Sequence, residues 1–205
     1  MVDIAGNKTD TDWKLLESQI RNDFNNVDLW NQALDIFELR LNERYINPAE
    51  IIQNNLSVTG EGFSIITLLC SLIEALETFH EGKCYKYEKP RTNTEYGNGK
   101  SQSLFVKFLT KRQPFSNIFD EELAKDFYKN IRCALLHEAM TKNGWTIRID
   151  TDVLVERIGD GKVLNRFYML EYFKQYIKGY RENILCSKKR KNAFIRKMNC
   201  ICKNA

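Results

Sequence analysis

Apolar positions recur every three or four residues along most of the chain, and the pattern reads as a series of helices. Trp13, Leu16, Ile20 and Phe24 share one side of a short helix predicted from Asp12 to Phe24. Asp28 can cap a second helix through about Arg44, with Leu29, Ala33, Phe37 and Leu41 on its apolar face. Asn47-Pro48-Ala49-Glu50 announces a third. Asparagine suits the cap, proline the first turn, and glutamate at the third position returns a hydrogen bond. That helix is expected to end near Asn55, and Gly60 and Gly62 then precede a long apolar helix to about His80.

The polar stretch between Gly82 and Ser103, containing Pro90, Gly97 and Gly99, reads as a long surface loop. Ser103 to Lys111 reads as a short helix carrying Phe105, Phe108 and Leu109. Asp120 then caps a helix from Glu121 to about Met140, whose first turn is acidic as the dipole favours, and Gly144 ends it. Beyond it the period changes. Trp145 to Ile149 alternates, Val153 to Ile158 is rich in β-formers, and Gly159-Asp160-Gly161 supplies a turn before Lys162 to Leu164. A small β-hairpin is therefore expected over about 145–164. A last helix from about Asn165 to Ile184 carries Phe167, Leu170, Phe173, Ile177 and Tyr180, with Tyr168, Tyr172 and Tyr176 as packing at helical spacing. The expected fold class is mainly α, a helical bundle with a small β-hairpin. Its expected organisation is a helical extension (1–27), a helical domain (28–185) and a basic tail (186–205).

Composition narrows this picture. Hydrophobic residues make up 43% and charged residues 28%, the balance of a globular rather than a disordered chain. The most apolar stretch, Phe63 to Leu76, is broken by Ser64, Thr67, Ser71 and Glu74 and falls short of the roughly 20 residues of a membrane span, so no membrane partner is expected. The amino terminus, with Asp3, Asp10 and Asp12, lacks the blocks of a signal peptide. A cytoplasmic location is expected, with the six cysteines reduced. No cysteine pair has the spacing of a zinc knuckle, and His80 with Cys84 offers only two ligands, so no metal or other cofactor is expected. Cys70 and Cys133 read as small buried hydrophobes. Gly99-Lys100-Ser101 lacks the earlier glycine of a P-loop, since Thr94 stands there, which excludes nucleoside-triphosphate hydrolysis at that loop.

The net charge of +4 is concentrated at the end. From Cys186 onward there are seven basic residues and no acidic one, which leaves the rest of the chain net acidic. Phe194, Met198 and Ile201 recur there at helical spacing, as in a basic amphipathic helix. Such a tail attracts phosphates or acidic partners, or is simply solvated.

The 121–140 helix carries the candidate chemistry. At about 100° per residue, Leu123, Phe127, Ile131 and Ala134 form the buried face, with Leu135 at its edge. Arg132 and His137 flank that face, one on either side. Lys129, Cys133 and Leu136 fall on the outward arc, where two apolar residues point to a second copy of the chain as their cover. Residues five apart lie about 7.5 Å apart along an α-helix and diverge around it, awkwardly for gripping one phosphate alone. A two-fold axis past this helix would oppose two arginines and two histidines in one cleft suited to an RNA phosphodiester. Histidine can move a proton to or from the reacting oxygens, and arginine offers a permanent planar fork to the phosphoryl group. The ribose 2′-hydroxyl is the nucleophile, so neither an enzyme nucleophile nor a metal is called for. The bland reading is that such an arginine and histidine make salt bridges or cap carbonyls.

Arg-x4-His, preceded by Phe127-Tyr128-x-Asn130-Ile131 and followed by Glu138-Ala139, resembles the signature of the HEPN superfamily, and particularly a bacterial plasmid- or defence-associated group in which Gly-Trp and a hairpin follow the motif helix. The similarity spans roughly residues 28 to 184. It implies an α-helical bundle that dimerises through the motif helices, here 121–140. It also implies metal-independent endoribonuclease activity in toxin–antitoxin, abortive-infection or CRISPR settings, with RNA as substrate and an antitoxin or defence protein as a further partner. Arg132 and His137 match the catalytic pair. The residue after the arginine is often Asn, Asp or His in active members, where this chain has Cys133. The tyrosine that one toxin branch modifies two residues beyond the histidine is here Ala139. Lys129, Asn130 and Glu138 are lesser candidates for contacting substrate or fixing the pair, against plainer roles as a solvated charge, a packing residue and a surface carboxylate. The alternative function is a non-catalytic RNA-binding or scaffolding dimer, which the departure at Cys133 favours. A third reading is a helical domain with no nucleic-acid partner.

Overall fold

A computed structural model describes residues 2–55 and 60–203; residues 1, 204 and 205, at the outer ends of the expected 1–27 and 186–205 segments, lie outside the described residues. The chain is mainly helical. In order, strands β1 (Asp3–Ala5) and β2 (Lys8–Thr9) precede helices α1 (Asp10–Asn22) and α2 (Val27–Leu41). A π-helical turn (Asn42–Ile46) leads into α3 (Asn47–Asn54), followed by α4 (Glu61–Glu81). Short strands β3 (Cys84–Tyr85) and β4 (Glu95–Tyr96) come before α5 (Ser101–Lys111). Helix α6 (Glu121–Phe127), a second π-helical turn (Tyr128–Cys133) and α7 (Ala134–Glu138) run on as one interrupted helix. Strands β5 (Trp145–Arg148), β6 (Val155–Ile158) and β7 (Gly161–Asn165) lead to α8 (Arg166–Leu185) and α9 (Lys188–Lys203).

Local chemistry explains where the early helices begin, and corrects two expected caps. Thr9 and Asp12 form a capping box at α1, the Asp12 carboxylate accepting from the Thr9 amide at 2.7 Å. Asn26 rather than Asp28 caps α2, because its side-chain oxygen takes the amides of Asp28 and Leu29. Asn47 caps nothing. The π-helical turn carries a helical backbone through Ile46, so α3 starts with no terminus for a side chain to satisfy. Helix α4 has 21 residues, long and apolar enough to cross a membrane by length and composition, yet 61% of its most apolar window is buried within the fold.

The chain divides into two compact units. One comprises Met1–Arg44, Thr78–Asn98 and Ile177–Ala205. Its hub is Phe194, on the segment that the charge pattern sets apart as a tail. Phe194 meets Trp13 at 5.9 Å, Phe37 at 5.7 Å, Phe79 at 5.8 Å and Trp30 at 6.3 Å between ring centroids. Asn199 accepts from the Trp13 indole at 2.7 Å and donates to Glu17 at 2.8 Å, stitching α9 to α1. Burial of an aromatic side chain contributes roughly 1.5–3 kcal/mol, which is ample reason for a basic helix to fold back onto the body. Two cysteines also depart from the reduced state expected. Helix α9 brings Cys200 to Cys84, their Cα atoms 5.7 Å apart, and the two form a disulfide, while Cys70, Cys133, Cys186 and Cys202 are free.

The other unit comprises Tyr45–Glu77 and Gly99–Tyr176. Its core stacks Phe108 on Phe173 and Phe105 on Phe127, with Phe115 and Trp145 set edge-on against these pairs or tilted to them. The expected hairpin is present as β6 and β7, joined antiparallel. Strand β5 adds to the far side of β7 in parallel, Trp145 opposite Lys162 and Arg148 opposite Asn165, giving the order β5-β7-β6. The connection through β6 provides the long crossover that a parallel pair needs.

Glu77 is fully buried in this unit, and Arg112 grips both of its oxygens, Nε at 2.8 Å and Nη2 at 2.7 Å. Removing Arg112 would leave this buried carboxylate with the more distant Lys107, 3.8 Å from Oε1, as a weaker partner. Arg112→Met should therefore lower unfolding stability by about 3 kcal/mol in urea denaturation, and Arg112→Met with Glu77→Leu should recover most of that loss.

Candidate functional site

Asp120 starts the motif helix by accepting the Leu123 amide at 2.7 Å. The helix then widens over Tyr128–Cys133 into a π-helical turn, a feature that recurs at functional sites. A uniform wheel of 100° per residue does not survive this turn. Neighbouring Asn130 and Ile131 both face inward, 1% and 0% exposed, and the buried set becomes Ala124, Phe127, Asn130, Ile131, Ala134 and Leu135. Leu123 is only half-buried.

The same turn carries Arg132 into a polar cluster. Its Nη2 donates to Glu74 Oε1 at 3.1 Å, and its guanidinium lies 5.4 Å from the centre of the Tyr128 ring. Ser101 donates to the same Glu74 oxygen at 2.6 Å and meets the Tyr128 hydroxyl at 2.9 Å. Cys133, a free thiol beside them, is half-buried. Burial opposes the Arg132 charge, but Glu74, Tyr128 and Cys133 outweigh it and hold the guanidinium above its ordinary pKa. Burial raises the Tyr128 phenol, keeping it a neutral donor. Cys70, beside them, is buried, and its thiol is pushed up by desolvation. Arg132 is thus a permanent cation on a fixed stem.

His137 sits differently. It is exposed near the end of α7 and has no hydrogen bond or ion pair among the described residues. Leu136 and Met140 on either side are 58% and 47% exposed. The helix stops at Ala139, which adopts the left-handed conformation (φ 52°) with its amide bonded to Leu135. Glycine is the usual occupant of such a position.

The lesser candidates separate. Lys129 is exposed. Glu138 pairs with Lys142, one turn on. Asn130 is enclosed: its amide donates to Asp126 at 2.6 Å, its carboxamide oxygen accepts from Asn143 at 2.8 Å, and its backbone oxygen takes the Lys142 amide. Asp126 also accepts the Trp145 indole at 2.8 Å and pairs with Lys162 at 3.2 Å. Asp126 and Asn130 therefore clamp the motif helix to the turn and strand that follow. Trp145 is buried beneath them.

Glu74, Ser101 and Tyr128 belong to the site although no spacing rule pointed to them. The signal for Glu74 was its place as a carboxylate in the apolar run 63–76, since such a group needs a cation or several donors. Ser101, from the rejected Gly-Lys-Ser sequence, turns its hydroxyl to Glu74 rather than to a phosphate loop. Among the described residues no group of three or more His, Cys, Asp or Glu is placed to hold a metal ion. No family model, curated protein or solved structure matches the chain.

The left-handed residue that ends the motif helix gives a direct test of its backbone. An L-residue other than glycine pays about 1–2 kcal/mol there, so Ala139→Gly should raise unfolding stability by about 1 kcal/mol despite glycine's greater freedom when unfolded. A lower thermal midpoint would contradict the assigned helix end.

Proposed function

We propose that the chain is a HEPN-type, metal-independent endoribonuclease acting as a homodimer in a defence or toxin–antitoxin setting. One observation carries this reading: a fixed cation and an unpartnered imidazole, five residues apart, share a helix interrupted by a π-helical turn. Arg132 holds a phosphoryl oxygen whose charge grows in the transition state. His137 moves the proton of the 2′-hydroxyl or of the leaving oxygen. Glu74 positions Arg132 through Nη2, leaving the rest of the guanidinium fork for phosphate. The exposed Leu136 and Met140 supply apolar surface for the second copy, whose arginine and histidine complete the cleft.

The Glu74 contact also favours a second reading. A carboxylate 3.1 Å from Arg132 offsets part of the charge that would attract RNA, and Cys133 stands where active relatives often carry Asn, Asp or His. A dimer that binds RNA or a protein partner without cutting it would fit both features.

Because His137 is exposed and unpartnered, His137→Ala should leave folding intact. Loss of a general acid or base typically lowers rates by about 10²–10⁴-fold. RNA incubated with the wild type in EDTA should yield 2′,3′-cyclic phosphate ends, and His137→Ala should abolish them at an unchanged thermal midpoint. Undiminished cleavage by His137→Ala would defeat the assignment. Salt-sensitive RNA binding without any cleavage by the wild type would select the second reading.

A further inference from the structure

Helix α9 buries a lysine that has no acidic partner among the described residues. Lys197 is only 9% exposed, and its ammonium lies 5.9 Å from the ring centres of both Phe79 and Tyr96. No carboxylate pairs with it among the described residues. Desolvation, reinforced by the charge of Arg40, pushes its pKa down to about 8. An ammonium placed this way works against folding, because ring faces return only part of the lost hydration.

Lys197 lines a cavity of about 370 Å³ within its own compact unit. Arg40 and Arg44, one helical turn apart, line the same cavity, as do Tyr85 and Ile201. Backbone oxygens of the first strand steady both arginines: Arg40 donates to Ile4 at 2.6 Å and Arg44 to Asp3 at 3.4 Å. The one carboxylate on the lining, Asp3, is exposed. Cys200 forms part of the wall, and its disulfide to Cys84 ties α9 to the strand bearing Tyr85. Three cations, from α2, the π-helical turn that follows it and α9, therefore converge on one concave space with a single exposed acid, and an aromatic and an aliphatic side chain complete it.

We propose that this cavity binds a small phosphate monoester, its dianionic head on Lys197 and Arg40 and its organic part against Tyr85 and Ile201. Two opposed cations match a doubly charged head better than a single carboxylate, and the arginine fork matches the spacing of phosphate oxygens. The volume is that of a pocket for a small organic molecule. The buried charge that the free protein carries at a cost becomes an attraction once an anion neutralises it. The site lies apart from Arg132 and His137 and does not depend on ribonuclease activity.

Calorimetric titration of the full chain, without reductant, tests this with phenyl phosphate, inorganic phosphate and benzyl alcohol as probes. Phenyl phosphate should bind more tightly than inorganic phosphate, and benzyl alcohol should not bind. Lys197→Met should weaken phenyl phosphate by about tenfold or more while its thermal midpoint without ligand holds or rises, and Lys197→Arg should retain binding. Should Lys197→Met fail to fold, Arg44→Gln at the exposed edge should still weaken binding several-fold. Absence of phenyl phosphate binding at millimolar concentration, or binding by Lys197→Met and Arg44→Gln equal to that of the wild type, overturns the proposal. Equal affinity for phenyl phosphate and inorganic phosphate overturns the role given to Tyr85 and Ile201.

Discussion

A carboxylate inside an apolar helix is costly unless a cation meets it, and α4 carries two away from its ends, Glu74 and Glu77, three residues apart. Arg112 satisfies Glu77 through a two-pronged pair, and Arg132 satisfies Glu74 through a single contact supported by Ser101. The two arginines come from different parts of the segment 101–138, so meeting both demands fixes α5 and the motif helix against the same stretch of α4. Stacking of Phe105 on Phe127 then fills the space between them. Arg132 is held in place by the same ion pair that helps hold the unit together.

That constraint divides the labour along the motif helix. Within the π-helical turn, Asn130 is committed to the clamp with Asp126 and Asn143, and Arg132 to Glu74. Past the turn, His137 is left exposed, with no partner among the described residues. A rigid cation followed by a free imidazole suits electrostatic stabilisation by one residue and proton transfer by the other. It also accounts for why the apolar Leu136 and Met140 stand exposed beside His137, on the surface that the proposed second copy would cover.

The helices were legible because their apolar periodicity is strong, and the β6–β7 hairpin because Gly159-Asp160-Gly161 marks its turn. Features set by distant contacts were not. Nothing local in Lys188–Lys203 shows that Phe194 will enter the core among Trp13, Phe37 and Phe79, and its charge disguises it as a solvated tail. Pairing of Cys84 with Cys200 depends on that same docking across 116 residues. The parallel addition of β5 follows from where α7 ends, not from its alternation. At the candidate site, Arg132 and His137 could be picked out by spacing, but a uniform wheel hides the π-helical turn, and with it the burial of Asn130. Glu74 was visible only as a blemish in an apolar run.

The claim most exposed to test is that two copies of the chain build one cleft. Arg132→Ala and His137→Ala proteins, each inactive alone, should regain RNA cleavage when mixed and allowed to exchange subunits, since a mixed dimer restores one arginine and one histidine to the shared groove. A wild type that cleaves RNA while the mixture never exceeds either variant alone would contradict a composite site.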